Sequence, residues 1–303
     1  VGSQTKYVIE ALLKTGRYSV VCLGGAVRHN DYKPQKIEGW GDDWIVYPVK
    51  GYGTPEMIRS ALFNEKPDMI WFMTDPRFYE WLWSMENEVR VHIPMVYYHV
   101  WDNYPYPTYN KKFYDSTDVI VSISKVTHDI VQTVSPTVES HYLPHAVDSS
   151  VFYPISEKDI ENLKEEQFGE GGKDKVTFFW NNRNARRKMS GSVLIWFSEF
   201  ADTVGPENVR LIMHTDPRDP NGQDLEKIIA DMKIDDGRIL LSTTKVKPTV
   251  LAAMYNIADC TINISDAEGF GLATLESLSC QTPIIVNMTG GLQEQVTDGK
   301  EWF

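Results

Sequence analysis

Glu268 and Glu276 bracket the seven residues Gly269-Phe270-Gly271-Leu272-Ala273-Thr274-Leu275. A strand-like run, Cys260–Ser265, comes before them and another, Pro283–Met288, after them, so a glycine-bearing turn opens a helix between two strands. The first backbone N–H groups of a helix lack intrahelical partners, and the helix dipole favours negative charge beside them, which suits an anion. Two carboxylates would repel a bare phosphate there; their use is to accept hydrogen bonds from hydroxyls, as on a sugar or a ribose. Phosphate and polyol bound together describe a nucleotide-sugar.

A second group of chemistry-bearing residues lies in FFWNNRNARRKMSGSVLIW, which sets Arg183, Arg186, Arg187 and Lys188 between a strand and a helix. Arginine offers a fork of donors and lysine a point charge, and both suit a diphosphate. A solvated basic loop is the plainer alternative. His99 ends the strand PMVYYHVWD, and ligands of α/β sheets sit beyond the carboxyl ends of strands. Neutral imidazole both donates and accepts, which suits a sugar hydroxyl. Asp102 and Asn103 follow it, and VWDNYPYPTY, with Tyr104, offers rings on which a sugar can stack. A satisfied, half-buried histidine fits His99 equally well.

The elements that must hold these residues alternate between strand and helix. In the first half the strand candidates are Tyr18–Leu23, Trp44–Val49, Met69–Met73, Pro94–Val100, Val119–Ser124 and Val138–Leu143. Thr54-Pro55 reads as a helix cap followed by a proline at the first helical position, and Arg77–Val89 reads as one helix. Residues 148–175 are charged and glycine-bearing without a long apolar run, and read as an interdomain connection. A second series follows: strand Val176–Trp180, helix Ser192–Thr203, strand Val209–His214, helix Asp224–Met232, strand Arg238–Ser242, helix Pro248–Ile257. This alternation predicts two parallel α/β domains, 1–147 and 176–303.

Composition removes several function classes. The chain of 303 residues carries a net charge of −12, which argues against nucleic acid and against broad attachment to anionic lipid. No apolar run reaches the roughly 18 residues that span a bilayer. Cys22, Cys260 and Cys280 are odd in number and lack metal-ligand spacing, so they fit buried thiols in a reducing, cytoplasmic setting. Asp235-Asp236 reads as a surface turn, and no metal site is expected.

SDAEGFGLATLESLSCQTPIIVNMTGG resembles the C-terminal signature of the retaining GT-B glycosyltransferases of family 4: a glutamate, seven residues, a second glutamate, and Gly-Phe-Gly after the first. The resemblance extends over nearly the whole chain. It implies two Rossmann-like domains with parallel sheets facing a central cleft, and both chain ends look cut: a first strand would precede Val1 and closing helices would follow Phe303. It implies that Arg183 and Lys188 hold the diphosphate of a UDP- or GDP-sugar, that Gly269, Phe270, Gly271 and Leu272 meet phosphate and sugar, that Glu268 lies at the transferred sugar, and that Glu276 accepts from the ribose. His99 matches a histidine facing that sugar; Asp102, Asn103 and Tyr104, read from their place beside it and in the aromatic stretch, are the candidates for the acceptor side. No metal or other cofactor is implied. The family's glycine after the lysine is replaced by Met189, and its glycine before the Pro-led strand by Gln281, a strained choice if φ there is positive. LPHAVDSSVFYP resembles the family's hinge phrase, with His145 and Ala146 in place of Asn-Gly.

The expected function is transfer of a sugar from a nucleotide donor to a hydroxyl acceptor, whether glycan, lipid-linked or protein, with retention. A sugar phosphorylase, hydrolase or epimerase, or a non-catalytic sugar-nucleotide or glycan binder, on the same scaffold are the alternatives.

Overall fold

The structure, a computed structural model, describes residues 2–25, 29–102 and 105–297. The chain divides into two compact units, 1–145 and 146–303.

The first unit runs α1 (Gly2–Lys14), β1 (Val20–Gly24), β2 (Gln35–Ile37), β3 (Gly41–Pro48), α2 (Pro55–Asn64), β4 (Ile70–Thr74), α3 (Glu80–Trp83), α4 (Glu86–Val89), β5 (Met95–His99), α5 (Lys111–Asp115), β6 (Val119–Ser122), α6 (Lys125–Val134) and β7 (Glu139–Tyr142). β4-β5-β6-β7 form a parallel sheet. β1-β3-β2 form another, in which β1 and β3 are parallel but β2 and β3 are antiparallel, a departure from the all-parallel expectation. A short strand joined by a tight connection returns antiparallel because a parallel partner needs a long crossover. Thr54 caps α2, its hydroxyl accepting from Met57 N–H at 3.4 Å, and Pro55 opens the helix.

Arg77–Val89 is not one helix. Asp75 caps a single 3-10 turn, Pro76–Phe78, and the chain breaks again between α3 and α4. Tertiary packing overrides propensity here. The Trp83 indole donates to Thr117 Oγ1 at 3.0 Å and stacks on Phe113, while Phe72 and Tyr97 close around it. These rings anchor the unit's core with Val89, Met95, Tyr114 and Ile120.

The second unit runs α7 (Glu157–Phe168), β8 (Val176–Asn181), α8 (Ser190–Val204), β9 (Val209–His214), α9 (Leu225–Met232), β10 (Ile239–Ser242), α10 (Pro248–Ile257), β11 (Cys260–Asn263), α11 (Leu272–Ser279) and β12 (Ile284–Val286), then a 3-10 turn over Gly290–Gln295. Its five strands are parallel in the order β10-β9-β8-β11-β12. Strand residues point alternately to the two faces, so the neighbours Phe179 and Trp180 serve different cores. Trp180 packs with Leu194, Leu211, Met213 and Leu225; Phe179 packs with Phe152, Ala252 and Tyr255. The order reverses between β8 and β11, the topological switch point at which open α/β sheets bind ligands.

Residues 148–175 are built into this second unit. Phe152 is buried against Phe179 and Tyr255, and its carbonyl accepts from Ser279 Oγ at 2.6 Å. Asn256 holds the segment that enters this unit, accepting from Ile155 N–H and donating to the Tyr153 carbonyl. Lys164 of α7 reaches Asp259 at 2.9 Å, and the Arg210 guanidinium lies 3.7 Å from the Phe168 ring centre. The charged composition of 148–175 reflects the outer face of α7, whose attachment is made by a few residues.

Of the four non-glycine residues with positive φ among the described residues, two mark local conflict near the basic turn and α11. Gln281 has φ 60° at the position just past the end of α11, and Met189 has φ 57° between the basic turn and α8. Both stand where the resemblance places glycine, and both adopt the left-handed conformation that glycine accepts without strain.

Candidate active site

β8 delivers the basic loop to its carboxyl end. The loop closes as a 3-10 turn over Arg186–Lys188, and left-handed Met189 turns the chain into α8. A second loop, 215–223 after β9, braces it. Asn184 is fully buried; its Nδ2 donates to the Gln223 carbonyl at 2.6 Å and its Oδ1 accepts from Ser190 Oγ at 2.7 Å. Arg186 N–H donates to the Asn221 carbonyl, and Gly191 N–H to Gln223 Oε1 at 2.8 Å. Arg183 donates through Nε and Nη2 to the two carboxylate oxygens of Asp219, at 2.6 and 3.1 Å.

β11 delivers the glycine turn beside this loop. Asp266 N–H donates to the Arg187 carbonyl at 2.8 Å, and Arg187 Nη1 donates to the Ala267 carbonyl at 2.6 Å. Lys188 Nζ donates to Glu268 Oε2 in a buried ion pair, with Arg187 Nη1 3.8 Å from the same oxygen. Gly290 and Gly291 run against the backbone of Glu268 and Gly269, and Gly291 N–H donates to the Glu268 carbonyl at 3.0 Å. Gln295 Nε2 supports the Phe270 carbonyl at 2.6 Å. Gly271, at φ 92°, starts α11 and brings no capping side chain to its first turn.

Glu276 stands on α11 behind that turn. Tyr255 Oη donates to its Oε2 at 2.8 Å and accepts from Asn181 Nδ2 at 2.8 Å, joining β8, α10 and α11. Burial pushes the Glu276 carboxyl up to about 7, opposed by the tyrosine's hydrogen bond. Burial also holds the Tyr255 phenol well above its usual range.

In the first unit His99 ends β5 and is fully buried. Its Nε2 lies 2.9 Å from Tyr114 Oη, and Trp101 stacks parallel to it at 6.3 Å. Burial lowers its pKa to about 3, so the ring is neutral. Among the described residues no protein group meets its Nδ1. Asp102 is half-buried; Asn103 and Tyr104 lie outside the described residues.

The structure thus brings Arg187, Lys188, Glu268 and the Gly269–Leu272 turn together at the β8/β11 switch point, with Glu276 on the same helix as that turn and Arg183 on the same loop as Lys188. His99 and Asp102 belong to the other unit. Asp236 accepts from its neighbour Arg238 at 3.0 Å, as a surface turn does. Among the described residues no group of three His, Cys, Asp or Glu is arranged to hold a metal ion, and no helix is long and apolar enough to cross a membrane. Asp219, Asn184, Gln223 and Tyr255 were not singled out by their sequence. DPNG at 219–222 signals a turn, but its pairing with a loop 36 residues earlier leaves no local pattern.

Residues 219–303 match the family described as glycosyl transferases group 1. The chain is 29% identical over 188 residues to the alpha-monoglucosyldiacylglycerol synthase of Streptococcus pneumoniae, covering 61% of this chain and 41% of that protein. It thus spans less than half of that curated relative. The sucrose-phosphate synthase of Thermosynechococcus elongatus superposes with a TM-score of 0.77 at 16% identity, over 97% of this chain and 78% of that one. Anabaena HepE in complex with UDP-glucose superposes with a TM-score of 0.66 at 15% identity, over 85% and 71%. The fold is therefore the α/β GT-B fold, and the stretch that matches glycosyl transferases group 1 contains Glu268, the glycine turn and Glu276.

Proposed function

We propose that the protein is a retaining glycosyltransferase of family 4 that moves a sugar from a UDP- or GDP-sugar to the hydroxyl of a glycan, lipid-linked or protein acceptor. The observation that carries this reading is the convergence of Lys188, Glu268 and the uncapped start of α11 at one switch point. The group 1 match over the same turn and the likeness to a fold that holds UDP-glucose in HepE support it.

In this reading Arg183 and Lys188 neutralise the charge that grows on the diphosphate as its bond to the anomeric carbon breaks. Backbone N–H groups of Gly269–Leu272 take phosphate and sugar oxygens. Glu268 accepts from a hydroxyl of the transferred sugar, and Glu276 from the ribose. The acceptor oxygen bonds to the anomeric carbon on the face the diphosphate leaves, and its proton passes to a departing phosphate oxygen. Retention then needs no covalent glycosyl intermediate on Glu268. The cations and the helix N-terminus supply what a divalent metal would, so no metal or cofactor is assigned. His99, neutral across the working pH range, serves as a hydrogen-bond partner to sugar hydroxyls, with Asp102, Asn103 and Tyr104 on the acceptor side.

A thermal-shift titration with UDP, GDP and ADP tests the core of this reading. A ligand at 100 times its Kd stabilises a fold by about 2.7 kcal/mol. One of the three is expected to raise the melting temperature of the folded protein, and the shift should vanish in Arg183→Ala plus Lys188→Ala. No shift with any of them would overturn the nucleotide-sugar reading.

A further inference from the structure

We infer that Asp219 is a positioning residue that presents Arg183 to the diphosphate; the inference rests on the proposed function of Arg183. Arg183 is 63% exposed and would otherwise sample many rotamers. Asp219 removes that freedom. Its two oxygens meet Nε and Nη2, a side-on fork that fixes the plane of the guanidinium and leaves the Nη1 edge turned away from the carboxylate. Among the described residues no hydrogen bond engages that edge, so it can meet an anionic oxygen without breaking the pair.

Asp219 is itself held. Its side chain is 10% exposed, and its Oδ1 accepts from Asn221 N–H at 2.9 Å and from Asn221 Nδ2 at 3.1 Å. The arginine's hydrogen bond, and after it those from Asn221, hold its carboxyl far below the usual range, so it is charged at every working pH. The loop that carries it is tied to the basic loop by Asn184, Arg186 and Gly191, and Gly222 packs so closely on Asn184 that a side chain there would collide with it. Asp219 and Arg183 are therefore parts of one rigid assembly, although they come from loops after different strands. An acidic residue next to a diphosphate site would ordinarily weaken anion binding. Here the geometry favours order over charge, because the carboxylate occupies the Nε/Nη2 edge of the guanidinium and leaves Nη1 outside the fork.

The test is a double-mutant cycle read by calorimetric titration of the full chain with UDP, GDP and ADP. Asp219→Asn keeps the side-chain volume but sets an N–H against the arginine. It is expected to raise the Kd of the binding nucleotide about tenfold, the scale of a freed long side chain. In an Arg183→Ala background the same change should have no further effect. In turnover assays the KM for the donor should rise while the KM for the acceptor stays. Unchanged or tighter binding by Asp219→Asn would overturn the inference, as would an equal loss in the Arg183→Ala background, which would mean that Asp219 acts through the loop fold. If Arg183→Ala itself binds nucleotide as tightly as the native protein, the assignment of Arg183 to the diphosphate fails, and the role of Asp219 with it. Arg183→Ala weakening binding while Asp219→Asn does not would sink only the positioning role.

Discussion

Lys188 Nζ and Glu268 Oε2 form a buried ion pair, so the cation assigned to the diphosphate and the carboxylate assigned to the sugar hold each other. A donor must give Lys188 a replacement anion before Glu268 can turn to a hydroxyl. Removing one partner of a buried pair leaves an uncompensated charge and costs about 3–5 kcal/mol, whereas replacing both costs much less. Arg187, 3.8 Å away, softens the loss here. Lys188→Met should therefore destabilise the second unit by about 3 kcal/mol, and Lys188→Met with Glu268→Gln should recover most of it. Urea unfolding of the three proteins gives the comparison. Glu268→Gln alone should keep nucleotide affinity and lower kcat by a factor on the order of 10².

Gln281 and Met189 are strained by their positive φ. For an L-residue this conformation costs roughly 1–2 kcal/mol, part of which glycine returns through its more flexible unfolded chain. Gln281→Gly should raise stability by about 0.5–1 kcal/mol with activity unchanged, since the side chain is exposed at the far end of α11. Met189→Gly should be comparably stabilising, but it adjoins Lys188 and should also alter donor KM. Melting temperatures and donor kinetics of both variants check this pair of expectations.

These two positions also show what was legible in the sequence. The conflict at Gln281 was readable because the end of α11 and the Pro-led β12 fix the register of the turn between them. Strand and helix alternation was readable in the second unit because parallel strands buried on both faces leave short apolar runs such as Leu211–Met213 and Ile239–Leu241. The break in Arg77–Val89 was not, since it is decided by where Trp83 finds Phe113, Thr117 and Tyr97, all distant or on other elements. The antiparallel β2 was too short to carry a pattern. Residues 148–175 were legible as polar but not as part of the second unit, because Phe152 and Phe168 are single anchors in a charged stretch. In the site, types and spacing marked the cations and carboxylates; the braces from Asn184, Asp219 and Tyr255 come from chain-distant contacts that no local spacing records.

The Glu276 carboxyl, at about 7, gives a pH signature. Its folded pKa is raised above the ordinary value of 4.5, so its contribution to stability is fully present below about pH 4.5 and is lost as pH rises through about 7. Native protein should lose stability over that window relative to Glu276→Gln, which has no such titration. Denaturant midpoints at pH 5, 6, 7 and 8 read the difference. A ribose diol donates more strongly to the ionised form, whose two oxygens both accept, so nucleotide binding below pH 7 should release a proton from this group. Calorimetry in buffers of different ionisation enthalpy should detect that release in the native protein and find it missing in Glu276→Gln. His99, at about 3, should add no limb to an activity profile between pH 5 and 8.

Gly290 is required by contact as well as by conformation. Its φ is 46°, and a Cβ there would fall on the carbonyl oxygen of Glu268. Gly237, at φ 90°, has open space around it. The two glycines therefore separate the cost of positive φ from the cost of collision. Gly237→Ala should lose only the conformational term, about 1 kcal/mol. Gly290→Ala must push back the segment that carries Glu268, because backbone cannot rotate away as a side-chain tip can. It should cost about 3 kcal/mol or more and lower turnover at least as much as Glu268→Gln. Equal stability loss in the two variants would mean that the 290 turn yields freely and does not hold the Glu268 carbonyl in place.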